Sequence, residues 1–191
     1  LAEYNDTQRT AELIRQLDNQ LAAIIVEPIL GAGGNIPASK AFLKMLRHES
    51  REVGAILIFD EVKTARIGPA GIQGLMGVKP DLTTLGKIIG GGLPVGAYGG
   101  REDIMRRVSP DGPVYQAGTL SGNPLATAAG LAALARLAAP GVYERLEELG
   151  GALEDAILGS GAPVVVNRVG SMLTAFFAPG PVTDYASATE S

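Results

Sequence analysis

Short, mostly apolar runs alternate along this chain with stretches of helical period, and that alternation constrains the fold more than any other feature. Leu21 to Val26, Ala55-Ile56-Leu57-Ile58-Phe59 and Asp81-Leu82-Thr83-Thr84-Leu85 read as short strands. Pro94 to Gly99 and Tyr115-Gln116-Ala117 read as a fourth and a fifth. Between them, Thr7 to Asn19 carries Leu13, Ile14 and Leu17 on one helical face. Ser39 is placed to cap a helix running to about Val53, which buries Phe42, Leu43 and Leu46. Lys63 to Gly77 is irregular, Arg101 to Val108 forms a short helix, and Asn123-Pro124 opens a long Ala/Leu helix through Leu137. Strands this short and this apolar, spaced by helices, predict an α/β fold with a mostly parallel sheet covered on both faces.

Pro140-Gly141 ends the alternation. Val142 to Leu158 reads as a helix interrupted at Gly150-Gly151, and Val164-Val165-Val166 and Met172 to Phe177 read as two strands around Arg168-Val169-Gly170. The expected division is 1–140 as a large α/β domain and 141–191 as the start of a small α+β domain. The opening without methionine and the abrupt end suggest a piece of a longer protein. The 26 glycines cluster just after apolar runs, where α/β proteins bind ligands.

Composition narrows the function. A net charge of −4 over 191 residues suggests no broad basic surface for nucleic acid. The absence of cysteine excludes disulfides, and His48 as the only histidine argues against a His-based metal site. No apolar run approaches the roughly 20 residues that span a bilayer, and the first residues carry no signal-peptide pattern.

Two residues carry the chemistry. Lys87 stands between an apolar run and Gly90-Gly91-Gly92. A lysine among Leu85, Ile88 and Ile89 is expected to be partly desolvated, with its amine pushed toward the neutral, nucleophilic form that makes Schiff bases. Asp60 follows the apolar strand 55–59, so its carboxylate is aimed at the carboxyl edge of the sheet. An aspartate there and a lysine one strand later are the pair a pyridoxal phosphate site needs. Plainer readings stand beside these: Lys87 as a solvated turn residue, Asp60 as a helix N-cap, Thr119 as the cap of the long helix, Glu27 as a solvated strand end. Gly86-Lys87 is no phosphate-binding P-loop, because the Gly-x-x-x-x-Gly-Lys-Ser/Thr pattern is missing.

The ordered blocks Ile25-Val26-Glu27-Pro28, Ile58-Phe59-Asp60-Glu61-Val62, Pro80 to Gly100, Tyr115 to Pro124, Asn167 to Met172 and Gly180 to Ser187 resemble the class III, fold-type I aminotransferases that depend on pyridoxal phosphate. Among them, the glutamate-1-semialdehyde 2,1-aminomutase pattern is the nearest. The resemblance implies that Lys87 forms the Schiff base and shuttles protons, that Asp60 pairs with the pyridinium nitrogen, and that Val62 packs on the ring. It implies that Thr119 binds the cofactor phosphate from the neighbouring subunit of a homodimer, and that Glu27 lies near the site. It further implies a small amino-acid substrate, a cytoplasmic enzyme of tetrapyrrole synthesis, and no nucleic-acid or membrane partner. The family is roughly twice this length, so an isolated piece would lack a complete site.

Two departures bear on the substrate. The family commonly has Gly-Asn-Met-Gly where this chain reads Gly31-Ala32-Gly33-Gly34, and Met-Thr-Gly-Phe-Arg where it reads Lys63-Thr64-Ala65-Arg66, one residue shorter. Both look more like the β-amino-acid aminotransferase branch. A transaminase for β- or ω-amino acids is therefore the first rival to the aminomutase, and a non-catalytic binding subunit is the second.

Overall fold

The computed structural model describes residues 1–178 and 180–189. In chain order the elements are α1 (Thr7–Leu17), β1 (Ala23–Val26), β2 (Ile29–Leu30), β3 (Ile36–Pro37), α2 (Lys40–Glu52), β4 (Ile56–Asp60), α3 (Gly71–Met76), β5 (Leu82–Gly86) and β6 (Gly96–Gly100). There follow α4 (Glu102–Met105), α5 (Pro124–Leu137), α6 (Val142–Leu158), β7 (Val165–Val169), β8 (Met172–Phe176) and α7 (Tyr185–Thr189). Asp6 and Ser39 cap α1 and α2 by accepting from the Arg9 and Phe42 amides. Both satisfy an amide that the first turn of a helix leaves without a partner.

The central sheet runs β1-β4-β5-β6. The first three strands are parallel, and β6 returns antiparallel to β5. One face packs on α1 and α2: Leu57 and Phe59 of β4 join Ile14, Phe42, Leu43 and Leu46 in the main core. The other face is more open than the sequence suggests. Ile25, in register with Ile58, is 65% exposed, and Tyr98, in register with Thr84, is 42% exposed. The sheet is therefore covered on one face by this chain rather than on both, and Asp60 and Thr84 lie together on the open one.

Local corrections have physical reasons. Tyr115-Gln116-Ala117 is not a strand; all three are exposed, and the only pairing nearby is an isolated bridge from Val108 to Val114. The segment 63–77 is more regular than expected, holding a 3-10 turn at Thr64–Arg66 and then α3. The helix predicted over 101–108 shortens to the single turn α4. Helix α6 runs unbroken through Gly150, where a Cβ would lie 2.5 Å from the Gly170 carbonyl oxygen. That glycine lets the helix approach the β7–β8 turn rather than breaking it. Among the described residues, no single helix is long and apolar enough to cross a membrane.

The β7–β8 hairpin docks on the loop between β2 and β3. Met172 and Val169 pack with Ile29, Ile72 and Ile67. Asn167 Nδ2 donates to the carbonyls of Gly34 (3.1 Å) and Val182 (2.9 Å), and Asn35 Nδ2 donates to Thr174 Oγ1 (2.9 Å). Gly34 sits at φ +108, and a Cβ there would come within 2.0 Å of the Phe176 ring, so only glycine lets the loop pass under the hairpin.

Asp81 ties the sheet together just before β5. Its Oδ2 accepts from the Leu57 amide (2.8 Å) and from Arg47 (2.9 Å), and its Oδ1 accepts from Arg101 (3.0 Å). Burial opposes its charge, but the Leu57 N–H and the two guanidiniums outweigh that and hold the carboxyl below its ordinary value. A lowered folded value contributes stability that is present above the unfolded carboxylate range, about pH 4, and drains as pH falls through the folded value. Asp81→Ala leaves Arg47 and the Leu57 amide without their partner. It should cost roughly 3 kcal/mol in urea unfolding, and the loss should shrink in acid. An unchanged midpoint at neutral pH would contradict this role.

Candidate active site

The site is built where β4 and β5 end side by side. Thr84 is in register with Asp60, and the Glu61 amide donates to the Thr84 carbonyl at 3.0 Å, so the chain leaves both strands at one edge. Asp60 closes β4 and turns its carboxylate back on its own loop, where Oδ1 accepts from the Val62 amide at 3.0 Å. It does not cap a helix. Oδ2 accepts no hydrogen bond among the described residues. Thr84 Oγ1, on the same face, is buried without a partner.

Lys87 follows β5 directly and opens the 3-10 turn Lys87–Gly90. Its φ is +48; the other non-glycine residues with positive φ are Asn5, Asp18 and Asn35. Asparagine and aspartate tolerate that conformation, whereas for lysine it carries about 1 kcal/mol of strain. The turn is held by α5. A Cβ on Gly91 would sit 2.4 Å from the Ala129 carbonyl oxygen, and one on Gly130 would sit 2.5 Å from that of Ile89. Glycine on both sides lets the lysine turn and the helix touch backbone to backbone.

The desolvation expected for Lys87 is not found: its side chain is exposed. Of Leu85, Ile88 and Ile89, only Ile88 shares its cleft. Leu85 and Ile89 line a separate cavity of about 720 Å³ between β5 and the helices α5 and α6, which holds none of the expected site residues. Lys87 opens instead into a cleft of about 660 Å³, lined also by Arg66, Ile88, Gly92, Leu93 and Pro94.

The structure brings Asp60, Val62 and Lys87 together. Gly86, between the lysine and its strand, would carry a Cβ 3.1 Å from Val62 Cγ1, so Val62 flanks the base of the lysine turn. Glu27 ends β1, and its Oε2 accepts from the Gly31 amide at 3.0 Å, which gives it a loop-holding job. Thr119 does not line the Lys87 cleft. It is exposed in the turn before α5, and Asn123 rather than Thr119 caps that helix, accepting from the Ala126 amide at 2.9 Å.

Several residues of the site had no local signal in the sequence. Glu61 is 1% exposed and accepts from Thr64 Oγ1 (2.7 Å), the Ile72 amide (2.8 Å) and the Gln73 amide (2.9 Å). It thereby clamps the 64–73 segment and the start of α3. Lys63 Nζ donates to the Gly31 carbonyl and to Asn35 Oδ1, both at 3.0 Å. It staples the β2–β3 loop on one side while Thr174 holds Asn35 on the other.

Comparison with known proteins bears on this arrangement. The family model described as aminotransferase class-III matches residues 2–185. A glutamate-1-semialdehyde 2,1-aminomutase from Desulforudis audaxviator is 55% identical over 196 residues, covering 100% of this chain and 45% of that protein. A β-phenylalanine aminotransferase from Variovorax paradoxus superposes with a TM-score of 0.89 at 39% identity, over 97% of this chain and 44% of that one. A glutamate-1-semialdehyde aminomutase from Pseudomonas aeruginosa PAO1, solved in complex with PMP, gives 0.85 at 27% identity, over 100% and 45%. The fold is that of the fold-type I, pyridoxal-phosphate-dependent transferases. The chain belongs to the class III aminotransferase family, and it spans about 45% of the length of the curated relatives it matches.

The Glu61 clamp is open to test. Glu61→Gln keeps the shape but leaves a single acceptor oxygen for three donors. It should cost about 2 kcal/mol and speed hydrogen exchange at the Ile72 and Gln73 amides. Unaltered protection of both amides would refute the clamp.

Proposed function

We propose that the full-length protein is a pyridoxal-phosphate-dependent aminomutase that converts glutamate-1-semialdehyde to 5-aminolevulinate. The observation that carries the reading is the convergence of Lys87 and Asp60 at the shared edge of β4 and β5. The similarity to aminomutases at 55% identity supplies the substrate.

The residues present fit the cofactor. Lys87 offers an exposed amine that makes no hydrogen bond or ion pair among the described residues, and Asp60 offers a free carboxylate oxygen. When bound, pyridoxal phosphate supplies an aldehyde carbon and a positively charged ring that draws electrons from the substrate. Lys87 would hold that aldehyde carbon, and its Nζ would carry protons to and from the substrate carbons. Asp60 Oδ2 would accept from the ring nitrogen and keep it protonated. Val62 would bound one face of the ring. Glu27 would act at the rim, through the Gly31 loop it holds.

Thr119 would donate to the phosphate of a neighbouring subunit, which makes the working unit a homodimer with shared sites. Its exposure, and its place outside the lining of the Lys87 cleft, support that placement. In this reading 1–140 belongs to the cofactor-binding domain and 141–191 begins the small domain, of a cytoplasmic enzyme in tetrapyrrole synthesis.

One observation favours a second reading, a transaminase acting on β- or ω-amino acids. The solved β-phenylalanine aminotransferase is more similar in sequence (39%) than the solved aminomutase (27%). An aminomutase needs no external amino acceptor, and a transaminase does. Full-length protein loaded with pyridoxal phosphate and given glutamate-1-semialdehyde alone should form 5-aminolevulinate. No product, with amino transfer from a β-amino acid to a keto acid, would replace the aminomutase with the transaminase.

A further inference from the structure

Arg66 closes the 3-10 turn that the Glu61 clamp holds in place. It is half-buried, and its Nε is fully buried with no hydrogen-bond partner. Its guanidinium makes no hydrogen bond or ion pair among the described residues, whereas Arg15, Arg47, Arg101 and Arg168 all hold carboxylates. A buried Nε–H without an acceptor is costly, because that donor has given up water for nothing. It lines the same cleft as Lys87, and the other lining residues, Ile88, Gly92, Leu93 and Pro94, bring no acid. The nearest carboxylate in sequence, Glu61, is already saturated by three donors. Among the described residues that line it, the cleft therefore presents two cations and no anion; Asp60, with its free Oδ2, ends β4 outside that lining.

We propose that Arg66 binds the carboxylate of the amino-acid substrate and so sets which carbon faces Lys87. The planar guanidinium fork matches a carboxylate in two parallel hydrogen bonds, which fixes direction as well as charge. Arg66 ends the 3-10 turn Thr64–Arg66 and lines the cleft beside Lys87. The assignment rests on Lys87 being the cofactor lysine, as proposed above. The competing anion is the cofactor phosphate, and the test separates the two.

Full-length wild type, Arg66→Gln and Arg66→Lys are compared by calorimetric titration with levulinate and with its uncharged amide, levulinamide. Retention of pyridoxal phosphate is read in parallel by absorbance. Wild type should bind levulinate at least about tenfold more tightly than the amide. Arg66→Gln should abolish that preference, Arg66→Lys should keep part of it, and all three should retain the cofactor equally. A preference that survives in Arg66→Gln overturns the proposal. So does selective loss of the cofactor in that variant, which would assign Arg66 to the phosphate. A wild type that takes up no pyridoxal phosphate overturns the function proposed above, while the levulinate comparison still decides the role of Arg66.

Discussion

The parallel pairing of β4 with β5 is the constraint on which everything else depends. It sets Asp60 opposite Thr84, and because β5 is two residues longer at that end, it delivers Lys87 just beyond the sheet edge. A parallel strand cannot be reached by a tight turn, so the chain must cross over between them. That crossover, residues 61–81, holds the Glu61 clamp, Arg66 and α3. The register is secured at the far end by Asp81, whose carboxylate takes the Leu57 amide that opens the β4–β5 contact. One buried acid thus sets the strands, and a second acid, Glu61, shapes the segment between them.

The chemistry follows from how unevenly the polar groups near this edge are satisfied. Glu61, Asp81 and Asn35 are buried and fully engaged, and they act as structure. Among the described residues Lys87 and Arg66 have no acceptor, Asp60 keeps one oxygen free, and Thr84 Oγ1 is buried alone. Buried polar groups are normally paired. Unpaired polar groups at this edge, together with a lysine held at φ +48, are what the proposed site rests on.

Much of this was legible in the sequence, where the signal was local. The apolar run 55–59, the short strand at 82–85 and the capping serine Ser39 required only local pattern and side-chain chemistry, and they stand where expected. The positions of Asp60 and Lys87 at the ends of β4 and β5 were legible from the runs before them. What failed was long-range. The burial of Lys87 was inferred from Leu85 and Ile89, but a tight turn after an extended strand sends those side chains into a different cavity. The sheet was expected to be covered twice because its strands are apolar, yet this chain supplies helices for one face only. The stretch Lys63 to Arg66 stood out only as a departure from the family pattern; the roles of Arg66 and Lys63 depend on partners reached through the fold, the Lys87 cleft for one, Gly31 and Asn35 for the other.

The central claim is that Lys87, at the end of β5, carries the cofactor against Asp60. Borohydride reduction of the full-length protein supplied with pyridoxal phosphate, followed by peptide mass mapping, tests it most directly. The account predicts a stable pyridoxyl adduct on Lys87 and on no other lysine, lost in Lys87→Ala. An unmodified Lys87 in folded, cofactor-supplemented protein would contradict it and would leave the chain as part of a binding subunit.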